Sequence, residues 1–93
     1  MVSVIIERQI ADGFASYYDK VSHKILSQAT VQNGFISGDS LHNSYDKNHR
    51  VVIAKYKSIQ DWQRWHSSSE RQALMANLIP MLQSDEKITV LEH

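Results

Sequence analysis

Three short apolar runs dominate the pattern of this chain: Val2, Val4, Ile5 and Ile6 near its start, Val51-Val52-Ile53-Ala54 past its middle, and KITVLE (Lys87–Glu92) at its end. Most of these residues are β-branched, which suits the pleated surface of a strand. In each run apolar residues stand at both odd and even positions. Side chains of a strand alternate between faces, so such a strand needs cover on both. A sheet of this kind packs helices on one face and must hide the other as well.

The segments between the runs have helical or turn character. After a first strand, Val2–Gln9, Asp12-Gly13 marks a helix entry with Asp12 as N-cap. Phe14, Tyr17, Tyr18, Val21, Ile25, Leu26 and Ala29 follow the helical period, with Asp19, Lys20 and Lys24 off that stripe. Asn33-Gly34 is the turn signal that follows. Residues 34–42 read as a second strand weakened by Gly38, a candidate bulge. Residues 43–48 form a polar turn, and residues 50–57 a third strand, giving an antiparallel hairpin. A second helical region covers residues 59–82. It breaks near Ser67-Ser68-Ser69, one of which caps the next segment, and Pro80 kinks or ends it.

The order β-α-β-β-α-β predicts a single α+β domain over residues 1–93. It is ferredoxin-like, a four-stranded antiparallel sheet with helices on one face. The apolar helix-free face predicts a homodimer through that face, because a monomer does not expose so large a patch.

Composition narrows the function classes. Ten basic and ten acidic residues cancel, so there is no electrostatic case for a nucleic acid or an anionic membrane as partner. Without cysteine, disulfides and thiolate chemistry are excluded. No apolar segment approaches the roughly 20 residues of a membrane span. The first residues read as a strand and not as a signal peptide, and a cytoplasmic location is expected.

Candidate site residues concentrate in the second helical region and the first helix. Trp62 and Trp65, three apart, share one helix side as a core anchor or the wall of a pocket. His23, near the stripe of the first helix, and His66, next to Trp65, are candidate proton carriers, while His42 and His49 flank the hairpin turn. No two histidines are spaced as a helical metal pair, and no metal is expected. Tyr17 and Tyr18 follow the core stripe, where a buried hydroxyl seeks a partner. There is no glycine-rich phosphate loop and no nucleophile elbow, so neither a flavin nor a nicotinamide is expected.

Three stretches, IIERQIADGF, NGFISGDSL and above all RVVIAKYKSIQDWQRWHSSSER, resemble the antibiotic biosynthesis monooxygenase domains of the dimeric α+β barrel superfamily over nearly the whole chain. That resemblance implies a pocket between sheet and helices, walled by Trp65, with Trp62 left to packing. It places Glu7 at the family's strand-1 pocket position, facing the helices, where partial desolvation would raise its pKa and make it a general base. The alternative is a carboxylate paired with Arg8, Arg50 or a lysine. Arg71 matches a serine-x-x-arginine feature beginning at Ser68. It either holds an anionic intermediate or ties the helix to a neighbouring carboxylate. The haem-degrading branch needs an asparagine and a histidine where Glu7 and Met75 stand, so the resemblance argues against haem chemistry.

The expected function is a cofactor-independent monooxygenase acting on an aromatic or quinol-like molecule. Catalysis would rest on Glu7, His23 or His66, and the pocket on Trp65, Tyr17, Tyr18 and Arg71. The competing readings are a non-catalytic module binding a small apolar ligand and a purely structural dimer. The absence of a cavity of about 300 Å³ or more beside Trp65 favours the last.

Overall fold

A computed structural model describes residues 1–93. The elements run β1 (Val2–Gln9), α1 (Ala15–Thr30), β2 (Phe35–Asn43), β3 (Asp46–Tyr56), α2 (Ile59–His66), α3 (Ser69–Leu78), a 3-10 turn (Ile79–Met81) and β4 (Lys87–Glu92). The strands form one antiparallel sheet in the order β2-β3-β1-β4, the ferredoxin-like arrangement, with the second helix divided in two. No helix is long and apolar enough to cross a membrane.

Serines divide that helical region. Ser58 precedes α2, and its hydroxyl accepts from the amide of Asp61 at 3.2 Å. Ser68 precedes α3 and accepts from the amide of Arg71 at 3.1 Å, while its own hydroxyl donates to the carbonyl of Trp65 at 2.7 Å. Each serine satisfies an amide that the helix start leaves without a partner. Pro80 lies in the 3-10 turn after α3, at a position whose missing amide costs no helical bond.

Burial in β1 alternates strictly. Val2, Val4, Ile6, Arg8 and then Ile10 are buried toward the helices, and the odd positions are half-exposed on the other face. Cross-strand pairs extend this division: Val4 with Ala54 and Val90, and Ile6 with Val52 and Ile88, lie on the helix side. There they meet Tyr18, Ile25 and Ala29 of α1, Trp62 and Trp65 of α2, and Met75 and Leu78 of α3 in one core. The opposite face carries an apolar centre of Ile5, Val51, Ile53 and Leu41, with Leu91 half-exposed at its edge.

Four local expectations need correction. Asp12 does not cap α1. The residue preceding that helix is Phe14, without a side-chain cap, and Asp12 instead accepts from the Asn48 side chain at 2.7 Å. The hairpin is longer than the polar composition of residues 43–48 implied, because Asp46 pairs with Asn43 and β3 starts there. Backbone pairing outweighs weak strand propensity at these residues. Gly38 pairs regularly with Ala54, and the irregularities fall at Ile36 and between His42 and Asn43. Gly38 is small because a Cβ there would sit 3.0 Å from Leu26 and 3.1 Å from the Phe35 ring. Gly34, expected within the second strand, precedes it at φ +86°.

Candidate functional site

The helix face of β1 brings Arg8 inside. Only 4% exposed, it is the one charged residue on the buried face of that strand. Its Nε donates to Glu86 Oε2 at 2.9 Å, one terminal nitrogen donates to the Tyr18 hydroxyl at 3.1 Å, and the other lies 3.9 Å from the Met75 sulfur. Arg71, 5% exposed, donates to the second oxygen of the same carboxylate, Glu86 Oε1, at 3.1 Å. Two guanidiniums therefore close on one carboxylate, and this buried group carries one uncompensated positive charge.

Local structure explains the convergence. Ser68 holds both the Trp65 carbonyl and the Arg71 amide, so the α2–α3 break sets the two side chains relative to each other. Beyond the 3-10 turn, Ala11 and Gln83 donate backbone hydrogen bonds to Met81 and Gln9, at 2.8 and 2.9 Å. These bonds lay the chain alongside the end of β1, and Glu86 meets Arg8 just before β4 begins.

A cavity of about 30 Å³ lies between sheet and helices, lined by Ile6, Arg8, Ser22, Tyr56, Trp62, Trp65 and Arg71 among others. That volume holds a water or two and not an aromatic ligand. The Tyr56 hydroxyl finds no hydrogen-bond partner in the chain, and neither does the Ser22 hydroxyl. No fully enclosed polar atom lacks a partner, so both open onto accessible space. Burial, opposed by the charge of Arg71, pushes the Tyr56 phenol up to about 12, so it remains a neutral donor at physiological pH.

Arg71 also borders a wider cleft of about 320 Å³ outside α2 and α3, together with His66, Met75 and Glu86. His66 stacks on Trp62 with ring centroids 5.1 Å apart, and the Arg71 guanidinium lies 5.8 Å from the Trp62 ring. Burial and the nearby Arg71 charge lower the His66 pKa, with Glu86 opposing. The imidazole is therefore neutral at pH 7 and able to accept a proton. For Glu86, burial raises the pKa, but attraction and hydrogen bonds from Arg8 and Arg71 outweigh it, and the net direction is down. Glu86 remains ionised.

The expected site residues fall into separate places. Trp65, Tyr18, Arg71 and His66 gather around this cluster, whereas Tyr17 is 64% exposed and outside it. His23 is exposed and lines a separate hollow of about 200 Å³ with Asp19, Ser22 and Ser40. Glu7 does not face the helices. It lies half-exposed on the opposite sheet face, 3.6 Å from His49 and not paired with Arg8, Arg50 or a lysine. One step along the strand exchanges faces, so Arg8 takes the inward position. Trp62 lines the cavity alongside Trp65, so the geometry does not reserve the wall for one indole.

Arg8, Tyr56 and Glu86 did not stand out in the sequence. Arg8 had only a partial signal: it shares a strand face with Val2, Val4 and Ile6, but apolar residues at both parities left open which face turns inward. Glu86 had none.

The fold and its two-arginine cluster define a small ferredoxin-like domain with a charged cleft beside its helices. The antibiotic biosynthesis monooxygenase family model matches residues 1–77, and the chain belongs to that family. Solved structures with the same fold include a point mutant of SnoaB, a cofactor-independent oxygenase from Streptomyces nogalater. It is 14% identical at a TM-score of 0.89, over 99% of this chain and 91% of that one. Rv0793 from Mycobacterium tuberculosis is 17% identical at 0.89, over 99% and 93%. A conserved protein from Methanosarcina mazei Go1 is 10% identical at 0.91, over 98% and 90%. A comparison with curated protein sequences gives no match.

Proposed function

We propose that this protein is a cofactor-independent monooxygenase for an aromatic, quinol- or anthrone-like molecule that ionises at Arg71. The observation that carries this reading is the charge balance of the cleft, where Arg8 and Arg71 are buried against Glu86 alone beside an aromatic wall. An enolate or phenolate formed there is stabilised in a site of low dielectric whose donors are already in place. His66, neutral and beside Arg71 in the outer cleft, takes the proton.

For an anthrone-type substrate, one dioxygen converts the ring methylene to a carbonyl and releases one water. The substrate supplies all four electrons, one oxygen atom becomes the new carbonyl oxygen and the other leaves in water with the two methylene hydrogens. No external reductant is required. The family membership and the fold shared with a cofactor-independent oxygenase support this assignment. The working unit is a homodimer, because Ile5, Val51, Ile53, Leu41 and Leu91 on the helix-free face require cover.

Oxygen consumption with a panel of anthrones and hydroquinones tests the proposal. Wild type is expected to consume oxygen. Arg71→Gln should lower kcat by roughly 10²-fold, the effect of one oxyanion donor, and His66→Gln by at least about 10²-fold. Glu7→Gln should leave the rate unchanged. No uptake by wild type across the panel refutes it. One observation favours a second reading, a purely structural homodimer: the inner cavity of about 30 Å³ is too small to receive a ring without movement of its walls. That reading expects neither turnover nor ligand binding.

A further inference from the structure

We propose that Glu86 is a tethered occupant of an anion-binding site, and that a planar aromatic carboxylic acid displaces it from Arg71 and Arg8. The inference rests on the reading of the cleft as a ligand site, but it does not depend on turnover.

Several observations converge on it. Arg71 is 5% exposed, yet of its guanidinium donors only one terminal nitrogen is used, on Glu86. No fully enclosed polar atom lacks a partner, so its remaining N–H groups open onto accessible space and are available to a ligand. Glu86 is also held end-on, each of its oxygens accepting from a different arginine, so neither pair forms the two-pronged contact that guanidinium and carboxylate prefer. A free carboxylate, unconstrained by the chain, can form that contact with Arg71.

The chain around Glu86 is tied by backbone bonds only on either side of residues 84–86. Gln83 donates to the carbonyl of Gln9, β4 begins at Lys87, and residues 84–86 make no turn, loop or cap hydrogen bond through their backbone. Clefts of about 320 and 390 Å³ both border Glu86, the second formed with Ser84 and Asp85, so the side chain has space to withdraw. Arg8 would keep its hydrogen bond to the Tyr18 hydroxyl and remain in place after Glu86 leaves. The arginines' charge selects an anion, and His66, exposed in the same cleft and backed by the buried Trp62 ring, offers a face for an aromatic ring.

The test compares 2-naphthoate with uncharged 2-naphthamide by isothermal titration calorimetry. Glu86→Gln removes the competing charge. It should bind naphthoate at least roughly tenfold more tightly than wild type, the worth of a charge-assisted hydrogen bond. Naphthamide affinity should change by less than about twofold. Arg71→Gln should weaken naphthoate selectively. In wild type, saturating naphthoate should accelerate hydrogen exchange in the peptide covering residues 83–87 by loosening the Gln83 amide from the Gln9 carbonyl, the bond this stretch has to lose, and this measurement decides the matter alone if Glu86→Gln does not fold. Unchanged or weaker naphthoate binding by folded Glu86→Gln, or protection of residues 83–87 on binding, overturns the inference. Failure of the oxygenase reading is separable: no oxygen uptake together with tighter naphthoate binding by Glu86→Gln refutes only the oxygenase. Uptake without that gain refutes only the displacement.

Discussion

Replacing Gly34 with alanine tests how the platform for both tryptophans is anchored. Gly34 has φ +86°, and a Cβ there would fall well inside 3.0 Å of the Asp61 side chain. Asp61 has no easy retreat, since its carboxylate accepts from the Ser58 hydroxyl at 2.9 Å and from Arg64 at 3.0 Å. It sits in the first turn of α2, directly before Trp62. The left-handed backbone costs an alanine about 1–2 kcal/mol, and disrupting the Ser58 cap adds about 1 kcal/mol. Relief of the clash comes on top, for a total of about 3 kcal/mol. In a chain of 93 residues each kcal/mol lowers Tm by roughly 4–8 °C, so a fall of about 12–24 °C is expected.

Gly13 supplies the control. Its φ is +87°, but a Cβ there meets nothing within 4 Å, so Gly13→Ala carries only the backbone cost, roughly 4–16 °C. Thermal melts followed by circular dichroism and tryptophan emission measure both. In an Asp61→Gly background the extra cost of Gly34→Ala should vanish. Equal shifts for the two single variants, or no coupling to Asp61, would refute the argument.

Three further outcomes are expected. The pKa of Glu86 is depressed, so the stability it contributes is present above its ordinary value near 4.5 and lost as pH falls through the lowered folded value. Urea midpoints between pH 7 and 3 should therefore fall below about pH 4.5, and less steeply in Glu86→Gln; identical acid limbs would contradict the two-arginine clamp. Ile53→Asp, at the centre of the helix-free face, should yield monomers in sedimentation while keeping native circular dichroism. A wild type that is already monomeric removes the basis for that interface. Trp65→Ala, at a residue 3% exposed, should destabilise by about 3–5 kcal/mol in denaturant unfolding, and a loss below about 1 kcal/mol would show that its indole is not packed as described.

Element order was legible before any tertiary information, because strand and helix periods are local properties of the chain. β1 and β4 fall where their β-branched runs predict, and the serines divide the second helical region because each offers a hydroxyl to an unpaired amide nearby. The hairpin limits were less legible, since Asp46 and Asn48 are poor strand residues held in β3 by pairing and by side-chain bonds. The resemblance pointed to the space between sheet and helices, where a small cavity lies beside Trp65 and Arg71.

What the sequence alone determined, then, is the order of elements, the two-sided apolar sheet and the placing of both tryptophans on one side of a helix. The tertiary structure decided which parity of β1 turns inward. Apolar residues occupy both parities, so local pattern does not separate the faces, and packing of α1 to α3 on one of them puts Arg8 inside and Glu7 outside. It also decided the charge cluster. Glu86 lies 78 residues from Arg8 and 15 from Arg71, and no local periodicity relates positions so far apart. They meet because sheet order places β4 beside β1 while α3 packs above both, and that meeting gives the cleft its charge.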